Sequence, residues 1–332
     1  MIEIAFTELG LDVLYARCLE TNPASSRVLV QTGFREVGRE IDEGGKFAGE
    51  VWRRFRVVKS KYVWLFSDEV FFGWSCESRF DNEIAPKQGR GMSLNYEELD
   101  FQQTSLGDLM LRRRRLLQLG GEEIYEIKLG EDFLMSSLFH EAESQLSKIG
   151  LGLLWKEELD VVVGGLGLGY TAVSVLEDRR VTSLVVVEFL QAVIEWHQTG
   201  LVPLGEILTG DSRCHLVHAD FFAMSRDVAN SFDPEHPEKK HDAILLDIDH
   251  TPKNVLHSTN ARFYSDEGLG ELAQHLKTGG VFALWADGSP SQFFANHLGD
   301  VIGNATAHCI EFENPILNDF SEGTVYVAQK KS

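Results

Sequence analysis

Residues Val161 to Tyr170 read VVVGGLGLGY, and residues Ser183 to Glu188 read SLVVVE. The first stretch is an apolar, β-branched strand that runs into a glycine-dense turn. The second is another apolar strand, and it ends on a carboxylate. Gly164, Gly165, Gly167 and Gly169 let the backbone bend sharply and approach a ligand with no Cβ in the way. Glu188 follows about 20 residues later, the spacing at which an acid reaches a ribose diol in a parallel α/β sheet. The pattern predicts strand, turn, helix and strand around an adenosine-bearing ligand. A bare strand-to-helix turn also uses glycines; the flanking strands and the strand-end acid favour the ligand.

Outward from this core, apolar β-runs alternate with helix-compatible stretches. Strands are predicted near 160–165, 183–188, 214–219, 242–248 and 280–286, and helices near 170–178, 189–199, 263–277 and 291–302. Two closing strands are predicted near 305–312 and 324–329. Such alternation predicts an α/β fold with a mainly parallel sheet covered on both faces, and ligands beyond the carboxyl ends of its strands. Upstream, residues 96–130 read as a small β region in which Asp108–Leu119 and Glu122–Leu129 form a hairpin about Gly120-Gly121. Apolar spacing over 131–149 predicts a helix. Arg112 to Arg115 alternate between the two faces of the predicted strand, so they read as a solvated or acid-paired surface rather than one basic patch.

The chain has 332 residues, of which 43% are hydrophobic and 25% charged, with a net charge of −20. These values suit a globular protein with an ample core. The acidity argues against general nucleic-acid binding and is compatible with a cationic substrate. No apolar run is long enough to span a bilayer, and the start MIEIAFTELG lacks the pattern of a signal peptide. Cys18, Cys76, Cys214 and Cys309 show no metal spacing, so a reducing cytoplasm and no metal are expected.

Three strand-end acids follow the glycine turn: Glu188, Asp220 in HLVHAD and Asp247 in AILLDID. Converging carboxylates repel unless a cation or hydroxyls lie between them. Each has a plainer reading as a helix cap, an even alternative for Asp220. Asp247 ends an apolar strand, and partial burial would raise its pKa toward that of a general base. His197 reads as a helix-end histidine favoured by the dipole. Asp233 to His241 reads as a surface loop, and Arg213 and His215 lie outside the pocket.

Residues 100–330 resemble the spermidine synthase (polyamine aminopropyltransferase) family. Phe139-His140-Glu141 is similar to its Tyr-His-Glu, Gly164-Gly165-x-Gly167 to its glycine loop, and Asp247 to the start of D-x-x-D-P. Phe263-Tyr264 and Gly279-Gly280-Val281-Phe282 fall at family spacings. The resemblance implies a Rossmann-like, seven-stranded methyltransferase-type sheet and a donor that is decarboxylated S-adenosylmethionine or S-adenosylmethionine. Gly164, Gly165, Gly167, Gly169, Glu188, Asp220 and Phe221 would hold the donor. His140, Glu141, Asp249, His250 and Trp285 would line the acceptor pocket, with Asp247 as the base that deprotonates a polyamine such as putrescine. A homodimer is a further expectation from the family. Three departures matter: Gly167 and His250 stand where the family has acids, and Trp285 where it has glutamine. They keep open a methyltransferase or a catalytically decayed nucleoside-binding protein.

The N-terminal part is separate. Asn22, Ser25, Leu29, Gly33 and Phe34, in a predicted helix over 22–32 and the turn after it, resemble the C-terminal part of GNAT-type N-acetyltransferases over about residues 4–58. The pyrophosphate-binding loop of that family is missing, so residues 1–60 are expected to be a remnant or packing module. Residues 61–95 read as a connector, and Met92 is a candidate start of a self-sufficient domain. The catalytic domain is expected over 131–332.

Overall fold

The computed structural model describes residues 13–19, 34–41, 51–58, 96–130, 132–315 and 319–331, which fall into two units. In the N-terminal unit, strands β1 (Val13–Leu19), β2 (Arg35–Ile41) and β3 (Val51–Val58) form an antiparallel sheet in the order β1-β3-β2. Phe55, Cys18 and Phe34 are buried, and Arg53 pairs with Glu36. The predicted 22–32 helix and the 61–95 connector lie outside the described residues.

The second unit begins with a four-stranded antiparallel sheet, β4 (Tyr96–Thr104), β5 (Gly107–Leu116), β6 (Glu122–Leu129) and β7 (Asp132–Ser136). The β5–β6 hairpin turns where the sequence places it, with Gly120 and Gly121 at φ +73 and +86. Its arginines split by strand alternation. Arg112 and Arg114 meet Glu126 on one face, while Arg113 and Arg115 meet Glu123 on the other. The helix predicted over 131–149 is corrected: its first residues form β7 against β6, and helix α1 runs only over Glu141–Gly152. Pairing to an existing sheet edge overrides a helical apolar spacing in so short a segment.

The rest is an alternating array: β8 (Leu159–Gly164), α2 (Tyr170–Leu176), β9 (Val181–Glu188), α3 (Gln191–Gln198), α4 (Gly205–Gly210), β10 (Cys214–His218), α5 (Phe221–Arg226) and β11 (His241–Leu246). A 3-10 segment (Ser258–Tyr264), α6 (Asp266–Gln274), β12 (Leu276–Asp287), α7 (Gln292–Val301), β13 (Gly303–Asn314) and β14 (Asp319–Lys330) complete it. The sheet order is β10-β9-β8-β11-β12-β14-β13. β8 through β12 run parallel to one another, and β14 is antiparallel to both β12 and β13. This is the Rossmann-like, seven-stranded sheet of methyltransferase type.

Strand alternation divides the core. Val161, Val163, Leu184, Val186, Leu245 and Ala283 face Leu146, Ala172 and Val193 of α1, α2 and α3. Val162, Val185, Ile244, Leu246 and Phe282 face Phe222, Leu269, Leu272 and Leu298 of α5, α6 and α7. A run such as VVV therefore buries side chains on both faces, each contributing about 1.5–3 kcal/mol. No helix among the described residues is long and apolar enough to cross a membrane.

His241, expected at the end of a surface loop, instead opens β11 and is only 1% exposed. Its Nε2 and the Ser231 Oγ are 2.9 Å apart. Burial, reinforced by the Lys239 charge, pushes its pKa down to about 4. The folded value lies below the unfolded one, so the unfolded chain takes the proton first. This part of the stability is full above about pH 6.5 and is lost as pH falls toward 4. Denaturant unfolding at pH 7 and pH 5 should show a loss of about 2 kcal/mol that is absent in His241→Gln; an identical loss in the variant would exclude His241 as its source.

Candidate functional site

The end of β8 and the end of β11 are bonded to each other through the glycine bend. Asp247 N–H donates to the Gly164 carbonyl at 2.8 Å, and Gly165 N–H donates to Val187 at 2.9 Å. Gly165 sits at φ +94, and a Cβ there would lie 2.1 Å from the Asp247 carbonyl oxygen. Only glycine lets the two strand tips meet this closely. Gly164 is equally confined, because the Phe221 ring fills the space its Cβ would take. Phe221 is thus a core residue, stacked on Phe232 at 4.9 Å, that supports the bend from within the fold. The residue expected among the donor contacts thus lies directly behind the bend, with its ring against Gly164.

Glu188 ends β9 with its carboxylate turned into the bend. Leu166 N–H and Leu190 N–H donate to its two oxygens at 2.9 and 2.8 Å. Burial pushes its pKa up, and amides including Gly167 and Phe189 pull it back. Asp220 caps α5, accepting from Phe222 and Ala223 N–H, which is its plainer sequence reading.

Gly167 has its own explanation. The Met135 sulfur lies 2.5 Å from where a Cβ would stand, and 3.0 Å from Leu168 N. Met135 of β7 occupies the ground that an acid at 167 would need. Behind the loop, His197 Nε2–H donates to the Gly167 carbonyl at 2.9 Å, and its Cε1 lies against Gly169. Burial pushes the His197 pKa down, so it is a neutral brace and not the dipole-favoured cation expected from its place at a helix end.

Asp247 is half-buried just beyond β11. Thr171 Oγ1, at the start of α2, donates to its Oδ2 at 2.6 Å. Burial raises the Asp247 pKa to about 6, against the opposing pull of that hydrogen bond. Glu143, on the first turn of α1, is raised to about 8, by burial first and then by the Asp247 charge. Sequence reasoning missed Glu143 and Thr171: an acid in a helix's first turn reads as dipole compensation, and the threonine lacked a partner until the fold supplied Asp247.

The acceptor-side residues separate. His140 stacks on Tyr170 at 4.2 Å with rings nearly parallel, and its Nδ1 is buried without a partner. Trp285, near the end of β12, also buries an unpartnered Nε1, close to Gly323 of β14. Glu141 is exposed and accepts from His140 N–H. Asp249 is fully buried, and accepts from Leu256 N–H at 2.7 Å, Asn260 Nδ2 at 2.9 Å and Tyr264 Oη at 2.9 Å. Its structural work is to fasten the 249–264 segment. His250 is held through its backbone carbonyl, which accepts from Asp287 N–H.

Among the described residues, no cluster of His, Cys, Asp and Glu is arranged to hold a metal ion. A cleft of about 360 Å3 lined by Trp155, Lys156, Asp242 and Thr278 lies at the opposite, amino-terminal end of the strands, away from the acids.

No protein-family model and no curated protein matches the chain. Solved structures do match. Spermidine synthase from Thermotoga maritima superposes with a TM-score of 0.53 and 16% identity, over 70% of this chain and 72% of that one. A spermidine synthase in complex with the transition-state analogue AdoDATO gives 0.55 and 16%, over 70% and 73%. At this identity the likeness shows the fold. Neither structure bears on the acetyltransferase resemblance of the N-terminal part, which rests on its motif alone.

Replacing Gly165 with alanine should cost at least about 2 kcal/mol, because both the positive φ and the Asp247 carbonyl oppose a Cβ. Chemical denaturation checks this, and a loss under about 0.5 kcal/mol would mean that the bend is not held as described.

Proposed function

We propose that this chain is a spermidine synthase-like aminopropyltransferase, moving an aminopropyl group from decarboxylated S-adenosylmethionine to a polyamine such as putrescine. The observation that carries the reading is Asp247: a carboxylate oriented by Thr171 at a strand tip, beside the glycine bend, with its pKa near 6. A base acting near neutral pH needs that value. The shared fold with a synthase captured with AdoDATO supports the same donor class.

In the proposed reaction the free acceptor amine attacks the methylene next to the sulfonium. The new C–N bond forms as the C–S bond breaks, and the bonding pair leaves with sulfur as methylthioadenosine. Asp247 takes the proton that the ammonium must shed. Glu188 would accept from the ribose hydroxyls, with Gly164, Gly165, Gly167 and Gly169 shaping the bend and Asp220 beside the adenine. His140, Glu141, His250 and Trp285 would border the acceptor, whose positive charges suit an acidic chain; Asp249 contributes by holding the neighbouring segment in place. Holding both reactants at near-attack distance supplies several kcal/mol of the barrier. The active form is proposed to be a cytoplasmic homodimer.

A second reading, an S-adenosylmethionine-dependent methyltransferase, is favoured by Gly167 and His250, because acids are missing where the aminopropyl group would be gripped. Supplying each donor with putrescine separates the two. Methylthioadenosine released from the decarboxylated donor supports the first, S-adenosylhomocysteine from the carboxylated donor supports the second, and neither product would remove both. Asp247→Asn should retain donor binding and lose about 100- to 1,000-fold in turnover. It should also unfold at higher denaturant above pH 6, where the buried carboxylate costs the native state most. Unchanged turnover would take Asp247 out of the mechanism.

A further inference from the structure

Trp155 stands 97% exposed in the turn between α1 and β8, the most exposed large hydrophobic side chain among the described residues. An indole offers about 150–250 Å2 of largely apolar surface, which water covers poorly. Leu153 is exposed beside it, and Lys156, Glu157 and Glu158 continue the exposed run. Glu158 closes the turn at φ +59, the one non-glycine residue with positive φ among the described residues. Strain of that kind persists where the surroundings or a function hold it. Next to this knob lies a hole, the cleft of about 360 Å3 at the amino-terminal ends of the strands. Leu153, Leu154 and Trp155 line it from the turn, and Thr278, Gly279 and Gly280 line it from a bulge in β12. The bulge arises because His241 pairs with Leu276 and Ala243 with Val281, so Lys277 to Gly280 leave the ladder. Charge is also unusual here. The chain carries −20, so two copies repel over most of their surfaces. Around the cleft the acids are answered: Asp242 by Lys156 and Lys277, Asp160 by Lys277 and Lys239, and Asp233 by Lys239. Lys330, next to Gln329 of the cleft lining, donates to the main-chain carbonyls of Ala273 and Leu276 rather than to an acid.

We propose that this face joins two copies of the chain about a two-fold axis, with Trp155 of each copy entering the cleft of the other. A two-fold contact needs a single patch that is complementary to itself, and a knob beside a hole is such a patch. The cleft volume lies at the low end of small-ligand pockets, about 300–1,000 Å3, which leaves room for one bicyclic ring. The run Lys156-Glu157-Glu158 carries the same symmetry in charge. The Lys156 side chain keeps 51% of its exposure despite its bond to Asp242, so it can meet the glutamates of the second copy while its own glutamates meet that copy's lysine. A central tryptophan within a charged rim is the arrangement of an interface hot spot. The neutralised acids make this an end of the molecule where two acidic chains can approach. Both candidate sites lie at the opposite, carboxyl-terminal ends of the strands, so they stay open and take no residue from the second copy. The inference is independent of the reaction proposed above.

Two measurements on the full-length chain test this. Sedimentation velocity from about 0.1 to about 100 μM should show a monomer–dimer equilibrium with a Kd of about 1–10 μM. Trp155→Asp should weaken the dimer at least about 30-fold, with an unchanged unfolding midpoint because the replaced side chain is exposed. In protein carrying fluorotryptophan, the fluorine resonance that is lost in Trp155→Asp should move between dilute and concentrated solution. A chain that is monomeric throughout overturns the inference and leaves the cleft to a small molecule. A dimer that survives Trp155→Asp, or a Trp155 resonance that ignores concentration, puts the contact elsewhere and overturns it as well. Aminopropyl transfer is read from methylthioadenosine release, so none of these outcomes bears on it.

Discussion

The contact between Gly165 and the main chain at Asp247 is the constraint on which the rest of the site depends. A parallel sheet of β-branched strands brings the ends of β8 and β11 side by side, but two ordinary residues could not meet there. Removing the Cβ lets the bend fold over the neighbouring strand tip. That closure places the Asp247 carboxyl beside the start of α2, where Thr171 meets it. Glu188 then gathers the loop amides from the opposite side. Each group is fixed by backbone geometry before any side-chain chemistry begins.

The environment made in this way is costly for acids and useful for that reason. Burial acts on Glu188, Asp247 and Glu143 in the same direction, raising all three. They differ in what compensates. Glu188 is answered by backbone amides and becomes part of the loop. Asp247 has one threonine hydroxyl. Glu143 has an acid as its neighbour. Charge compensation therefore declines from Glu188 to Asp247 to Glu143.

Much of this was legible in the sequence because it is carried by short-range pattern. VVVGGLGLGY and SLVVVE specify strand, bend and acid locally, and the order of later apolar runs predicts the remaining strands. What could not be read depends on partners distant in the chain. Asp249 looked available because its Asn260 and Tyr264 donors lie beyond an intervening turn. Nothing local says that the Phe221 ring fills the space against Gly164. The departure at Gly167 looked like a loss of function, whereas Met135, from a strand mistaken for helix, occupies the space instead. His197 and His241 have ordinary helix-end and loop surroundings in sequence, and only tertiary packing buries them as neutral rings.

The most direct test is a crystal structure of the chain with methylthioadenosine bound. The account predicts both ribose hydroxyls on Glu188 and the thioether over the glycine bend, with its open side toward Asp247 and the Thr171 hydroxyl still on that carboxylate. A nucleoside bound elsewhere, or one whose sulfur faces away from Asp247, would contradict it.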